Sequence, residues 1–326
     1  MNIDTDLRQK PTSGPAAETG AGVAIVIPCL DEAANIAGVI EGFRRHLPDA
    51  EIYVYDNAST DGTAGAAQEA GAIVRHEARR GKGHVVRRIF RDVEADIYLM
   101  VDGDLTYDPA AAPEMIATLR RDQLDIVIGA RVGDSDTVHR LGHRLGNRML
   151  TGIIARLFKA ELRDMLSGYR AMSRRFVKSF PVGASGFDIE TELTVHMLQI
   201  DVAYREIDTD YSNRGTGTES KLRTVPDGLR VLRTIIKLVI LERPVAVFGG
   251  FGLVALIVAL AMFLPVLQEF QRTGVVPRIP TLIVSVSLGM TGLVSVFSGL
   301  ILAGIARTRR DMKRLAHMAL PAVSRR

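Results

Sequence analysis

From Val23 to about Ile207 the chain alternates short runs of β-branched and aromatic residues with stretches whose apolar positions recur every three or four residues. The runs VAIVIP (23–28), EIYVYD (51–56), AIVRH (72–76), DIYLMVD (96–102) and LDIVIGAR (124–131) predict five strands, and a last strand falls near Val202 to Ile207. Between them, Ile36, Val39, Ile40, Phe43 and Leu47 mark one helix; Val86, Ile89, Phe90 and Val93 mark another after Gly83. Asp108 followed by Pro109 predicts a helix cap and first turn, opening a helix to about Arg121. Through Arg175 the pattern is helical and mixed, and a further helix follows Gly186. Strands alternating with helices in this way predict an α/β domain built on a mostly parallel sheet, over residues 23–222.

The pattern changes beyond residue 222. Val245 to Leu267 is 23 residues without a charge, and Ile279 to Ala306 is 28. At 1.5 Å per residue the first spans about 34 Å, against about 30 Å for a hydrocarbon core. Blocks of this length are either a buried hairpin or two transmembrane helices, and their length and lack of charge favour the membrane. Before them, residues 223–243 carry Val225, Leu229, Leu232, Ile236 and Val239 on one stripe and Arg230, Arg233 and Lys237 on another. Such a helix either packs on the domain or lies in the membrane interface; its place beside a span favours the interface.

Charge sharpens this picture. Net charge is +4, yet residues 307–326 hold seven Arg or Lys against Asp311 alone, which leaves about −2 for the rest. A nucleic-acid partner does not fit that distribution; a basic tail beside a membrane helix fits the positive-inside rule. Both termini and the domain are then expected at the cytoplasmic face of an inner, cytoplasmic membrane, with residues 268–280 on the other side. Cys29 is the single cysteine, so no intrachain disulfide forms. Residues 1–22 are small, polar and Pro/Gly-containing, without a signal-peptide pattern, and are read as a disordered leader.

In an open α/β sheet ligands bind beyond the carboxyl ends of the strands, so the residues that follow each strand carry the chemistry. Asp56, in VYDNASTDGT, is either part of a turn and cap or a carboxylate that accepts from a nucleobase or ribose. Arg79-Arg80-Gly81-Lys82-Gly83 before a helix is either a solvated basic turn or a phosphate cradle. Asp102-Gly103-Asp104 places two carboxylates one residue apart at a strand end, where a divalent cation, Mg²⁺ or Mn²⁺, removes their repulsion.

VIPCLDEAANI, VYDNASTDGT, RGKG, MVDGDLTYD, DMLSGYR and GFDIETEL together resemble the family 2 glycosyltransferases of the GT-A fold, most closely those that transfer sugars to polyprenyl phosphates. The resemblance implies that Pro28, Asp31 and Glu32 line a nucleotide pocket and that Asp56 contacts the base. It places Lys82 near the diphosphate and Asp102 and Asp104 at the metal. Where several relatives carry a glutamine that helps hold the metal, Thr106 stands here. Arg131 and one of Arg140 or Arg144 would meet the acceptor phosphate. Arg214, Ser220 and Lys221 would sit on a loop near the diphosphate, and Asp164 and Glu190 would either orient the sugar or serve as caps and ion-pair partners. A UDP- or GDP-sugar donor, a polyprenyl phosphate acceptor of undecaprenyl type, inversion at the anomeric carbon and a homotetramer are further implications.

A lipid phosphate is already ionised, so it attacks without the general base that an alcohol needs. Positioning and neutralisation of the leaving diphosphate are then the work of the site. A processive polysaccharide synthase is disfavoured by the absence of tryptophan, which its QxxRW motif requires, and by only two spans. An inactive nucleotide-sugar-binding scaffold would have a broken DxD, which is intact here; transfer to a non-lipid acceptor would leave the hairpin as a mere anchor.

Overall fold

The computed structural model describes residues 22–132, 141–181, 189–212 and 224–324, with 141–148 and 224–232 described by backbone alone. The leader expected at 1–22, except Gly22, and Arg140, Arg214, Ser220 and Lys221 lie outside the described residues, as does the Arg144 side chain.

Seven strands form one sheet: β1 (Val23–Cys29), β2 (Glu51–Asp56), β3 (Ile73–His76), β4 (Ile97–Met100), β5 (Ile126–Val132), β6 (Arg170–Ser173) and β7 (Tyr204–Asp210). Their spatial order is β3-β2-β1-β4-β6-β5-β7. All neighbours pair in parallel except β6, which runs antiparallel to both β4 and β5. The mostly parallel α/β sheet expected from the pattern is therefore present, but β6 was not visible in it. RAMS is four residues long, opens on an arginine and ends on a serine, and is buried throughout. Its strand conformation comes from pairing on both sides, not from local propensity.

Period-2 alternation sends β1 residues to two cores. Ile25 and Ile27 face one, with Ile36, Val39, Ile40 and Phe43 of α1 (Ile36–His46) and Met115 and Leu119 of α4 (Ala112–Arg121). Ala24 and Val26 face the other, with Val86, Ile89 and Phe90 of α3 (Lys82–Asp92), Phe176 of α6 (Arg174–Ser179) and Leu193 and Met197 of α7 (Ile189–Ile200). Helix α2 (Thr63–Glu69) adds Ala67 to the first core. The helix start expected at Asp108 is a 3-10 turn, Pro109–Ala111, capped by the Asp108 carboxylate, which accepts from Ala110 N at 2.9 Å.

Two further helices make a third cluster. Leu150 and Ile154 of α5 (Leu141–Phe158) pack with Ile235 and Leu238 of α8 (Thr224–Glu242) and Val195 of α7. Helix α8 thus rests on the domain through Ile235 and Leu238, with Val239 of the stripe read from the sequence packed against the same cluster and Ile236 of that stripe exposed.

A π turn, Val245–Gly249, leads into α9 (Gly250–Thr273), and α10 (Ile279–Met318) follows. The segments Val245–Thr273 and Ile279–Met318 each contain an 18-residue stretch with a mean hydropathy of 2.6 and 2.0 respectively, and are long enough to cross a membrane. Leu253, Ile257, Leu260, Ile283, Val294 and Ile301 face outward. The two helices touch backbone to backbone: a Cβ on Gly292 would lie 2.8 Å from the Gly252 carbonyl oxygen. Ser295 Oγ donates to the Phe248 carbonyl, 2.8 Å away in the π turn.

The basic segment after residue 306 is not a separate tail in the described residues. Helix α10 continues through it, and its end docks on α6 and α7: Lys313 Nζ donates to Gln199 Oε1 at 2.5 Å, and buried His317 Nε2 lies 3.2 Å from Asp125 Oδ1. Asp125 also accepts from Ser173 Oγ at 2.7 Å and from Arg175 Nη2 at 2.7 Å. Nearby His196 is buried against Phe176 and Phe180, and burial, reinforced by Lys313 and His317, pushes its pKa down to about 3.

Two outcomes follow. Gly292→Ala forces carbonyl and methyl apart and should cost about 1–3 kcal/mol; Gly304→Ala, with open space around it, should be neutral or stabilising by up to about 1 kcal/mol. Thermal unfolding of the detergent-solubilised protein checks both. His196 is neutral in the fold but takes up a proton when unfolded once the pH drops below about 6.5. Stability should therefore be lost as pH falls from 6.5 towards 4, by up to about 1.4 kcal/mol per unit, and denaturant titrations should show a shallower slope in His196→Asn.

Candidate active site

Because β6 runs against its neighbours, its first residue lies level with the last residues of β4 and with β5, as the pairings Met100↔Arg170 and Ile128↔Arg170 record. The carboxyl ends of β1, β2, β4 and β5 and the amino end of β6 thus share one edge, and most of the residues expected at the site gather there.

At β1 and β2 the loops are laced together. Asp31, held at φ 55°, accepts from Thr60 N at 2.9 Å and donates its own N–H to Ser59 Oγ at 3.0 Å. Glu32 N donates to Thr63 Oγ1 at 2.9 Å. Pro28 sits in β1 opposite Tyr55. Asp56, at the end of β2 and buried, is approached by Ser59 N at 3.4 Å from each of its oxygens and by His76 Nδ1 at 3.3 Å. These are long contacts, so the carboxylate keeps acceptor capacity.

Asn57 is a residue the sequence reading missed. Its side chain donates to the carbonyls of Glu77 at 2.9 Å and Arg79 at 2.8 Å and accepts from Gly81 N at 2.7 Å. One amide therefore shapes the whole RRGKG turn. Glu77 stiffens it further by accepting from Arg79 N, which holds its carboxylate below the ordinary range.

Lys82 opens α3, and its ammonium sits between Asp102 Oδ1 and Glu190 Oε1, the latter at 2.5 Å. Burial alone would lower the lysine's pKa; Asp102 and then Glu190 outweigh it and hold the group protonated. One turn on, Arg87 Nη2 meets Glu192 Oε2 at 2.5 Å, a second buried pair between α3 and α7.

Past β4 the chain turns through Asp102, Gly103, Asp104 and Leu105, with Leu105 at φ 59°. Asp104 is buried and accepts from Thr106 Oγ1 at 2.6 Å, so the threonine hydroxyl orients a carboxylate. Ser212 N donates to the Thr106 carbonyl at 2.9 Å and ties the turn to the end of β7. A Cβ on Gly168 would meet Asp102 Oδ2 at 2.5 Å, so the glycine of SGYR leaves the space that this carboxylate fills.

Arg131, at the end of β5, makes a two-pronged pair with Asp164 through Nε at 2.7 Å and Nη2 at 2.8 Å, and lies 5.5 Å from the Tyr211 ring centre. Burial opposes its charge, but Asp164 raises its pKa above that of an ordinary arginine. Tyr107 and Tyr169 stack behind, and Tyr107 Oη accepts from Gly168 N at 2.9 Å.

The donor set suits a hard divalent cation: two carboxylates at a strand end, one already facing the Lys82 ammonium, and a glycine that makes room. Among the described residues no group of three or more His, Cys, Asp or Glu closes around one point. The residues therefore fit a cation that phosphate oxygens help to hold, not an all-protein cage.

Residues 24–180 match the family described as glycosyl transferase family 2. Glycosyltransferase AglJ of Haloferax volcanii is 33% identical over 77% of this chain and 83% of its own. A dolichol-phosphate mannosyltransferase of Mycosarcoma maydis is 26% identical over 81% and 92%. Among solved structures, glucosyl-3-phosphoglycerate synthase from Mycobacterium tuberculosis in complex with Mn²⁺, UDP-glucose and phosphoglyceric acid superposes with a TM-score of 0.54, at 25% identity, over 68% of this chain and 81% of that one. The sheet, the acidic turn beyond β4 and these similarities agree: the chain is a glycosyltransferase and belongs to glycosyl transferase family 2.

Proposed function

We propose that this enzyme transfers a sugar from a UDP- or GDP-sugar to a polyprenyl phosphate of undecaprenyl type, with inversion, at the cytoplasmic face of a membrane. The observation that carries the reading is a union within one chain. A strand-edge cluster of Asp102, Lys82, Glu190 and Arg131 is followed by two outward-facing apolar helices of 29 and 40 residues. A lipid phosphate lies at headgroup depth, where a domain tied to such a hairpin reaches it. The dolichol-phosphate mannosyltransferase relative supports an acceptor of this class.

In this reading Pro28, Asp31, Glu32 and Asp56 bind the nucleoside, and Asp102 and Asp104 hold Mg²⁺ or Mn²⁺. When bound, the cation offsets charge on the leaving diphosphate. Lys82 adds to that: Asp102 and Glu190 take two of its three N–H bonds, and the third is available to a phosphate oxygen. Asp164 engages Nε and Nη2 of Arg131 and leaves Nη1 for the acceptor phosphate. Arg140 or Arg144, Arg214, Ser220 and Lys221 complete the anion contacts. The acceptor oxygen forms the new bond to the anomeric carbon as the nucleoside diphosphate departs with the bonding pair. No proton has to be removed from the nucleophile.

Purified protein incubated with Mn²⁺ or Mg²⁺, undecaprenyl phosphate and a panel of nucleotide sugars should yield one glycosylated lipid by mass spectrometry. Transfer to phosphoglyceric acid with none to the lipid would overturn the acceptor. Asp104→Asn should reduce turnover by about 10²–10³-fold, the loss typical of removing one leaving-group stabiliser, while retaining the wild-type melting profile. Near-normal turnover of that variant in excess chelator would refute the metal site.

A further inference from the structure

Among the described residues Arg170 is the largest fully buried side chain, and its hydrogen bonds go to three carbonyls and a hydroxyl. Burying a guanidinium is expensive, and the nearby charges of Glu190 and Asp164 offset that cost only in part, so its placement calls for a reason. Its Nε donates to the Ser167 carbonyl at 2.9 Å. Its Nη2 faces the Met165 carbonyl at 2.6 Å, Thr194 Oγ1 at 2.9 Å and the Glu190 carbonyl at 3.2 Å. Thr194 Oγ1 in turn faces the Met165 and Glu190 carbonyls at 3.1 and 2.9 Å. Nη1 is buried and has no hydrogen-bond partner.

Those acceptors belong to two segments, the 164–167 loop and α7, which Arg170 bridges together with the Thr194 hydroxyl. Met165 and Ser167 follow Asp164, whose carboxylate grips Arg131; Glu190 opens α7 and grips Lys82. The backbone pairing of Arg170 with Met100 and Ile128 fixes it level with both strand ends. One rigid fork thus sets the distance between the carboxylate behind the donor-side lysine and the carboxylate behind the acceptor-side arginine.

Resting on the function proposed above, we infer that Arg170 is a positioning residue, holding the 164–167 loop and the first turn of α7 in the register that presents Arg131 and Lys82. Its contribution is to geometry, so it acts on turnover more than on binding. A displacement near 1 Å at a reacting centre costs about 10²-fold, and that is the expected scale.

The test is a set of purified full-length variants assayed for sugar transfer with the wild-type enzyme's preferred donor and undecaprenyl phosphate. Arg170→Met should lower kcat about 10²-fold with donor KM changed by less than about threefold, and Arg170→Lys, charged but without the fork, should recover part of the loss. The double variant with Glu190→Gln should lose less than the product of the two single losses, because Arg170 acts on Lys82 through the turn that carries Glu190; multiplicative losses would overturn the inference. Where Arg170→Met fails to fold, Thr194→Val removes one acceptor of the fork and should show the same kcat-selective loss on a smaller scale; unchanged kcat there would count against the role. An arm independent of any acceptor reads the ¹³C resonance of reductively methylated Lys82, assigned by its absence in Lys82→Arg. That resonance should move in Arg170→Met as it does in Glu190→Gln, and an unmoved resonance overturns the inference even where the wild-type enzyme modifies no lipid phosphate. Failure of wild-type transfer with the resonance still moving would instead refute only the acceptor.

Discussion

The pairing of β6 between β4 and β5 is the constraint on which the rest of the site depends. A strand of four residues contributes little by itself, but its two ends reach both edges of the sheet. At its amino end Arg170 lies under the site, and Gly168, two residues before it, leaves the space that the Asp102 carboxylate fills. At its carboxyl end Ser173 and, two residues on, Arg175 hold Asp125, where the end of α10 docks through His317. Helix α7 spans the same distance: Glu190 in its first turn meets Lys82, and Gln199 near its end meets Lys313. The segment that carries the apolar spans and the segment that carries the chemistry are therefore joined through one short strand and one helix, both buried.

That arrangement explains what could be read from the sequence and what could not. Six of the seven strands and the first helix faces were legible because a sheet covered on both faces demands nearly continuous apolar runs and its helices demand apolar residues at a period of 3.6. Asp56, Lys82, Asp102, Asp104 and Arg131 were legible because each follows such a strand or opens such a helix. Asn57 was not, since a single amide satisfying three backbone groups leaves no periodic trace. Nor was the role of Thr106 as a donor to Asp104, which depends on a left-handed turn at Leu105. β6 escaped because pairing on both sides, not propensity, makes it a strand. The stripe read on α8 is divided in the structure, Val239 packing on the domain and Ile236 facing outward, since the packed face is chosen by where α5 and α7 leave room.

The charges at the site are arranged as one triad and two pairs. Asp102, Lys82 and Glu190 form the triad, Arg87 and Glu192 one pair, and Arg131 and Asp164 the other. As stability devices such pairs are poor, because desolvation offsets most of the attraction. As preorganised electrostatics they are effective. Among the described residues, Lys82 and Arg131 each have a carboxylate behind them, so little side-chain entropy is left to lose when phosphate arrives. For Lys82 and Arg131 that carboxylate holds the charge while leaving one donor direction uncommitted. On the function proposed above, the site stabilises a departing diphosphate without deprotonating its nucleophile and needs oriented cations more than it needs a base; α3 and β5 supply the cations, and α7 supplies the carboxylate that orients Lys82.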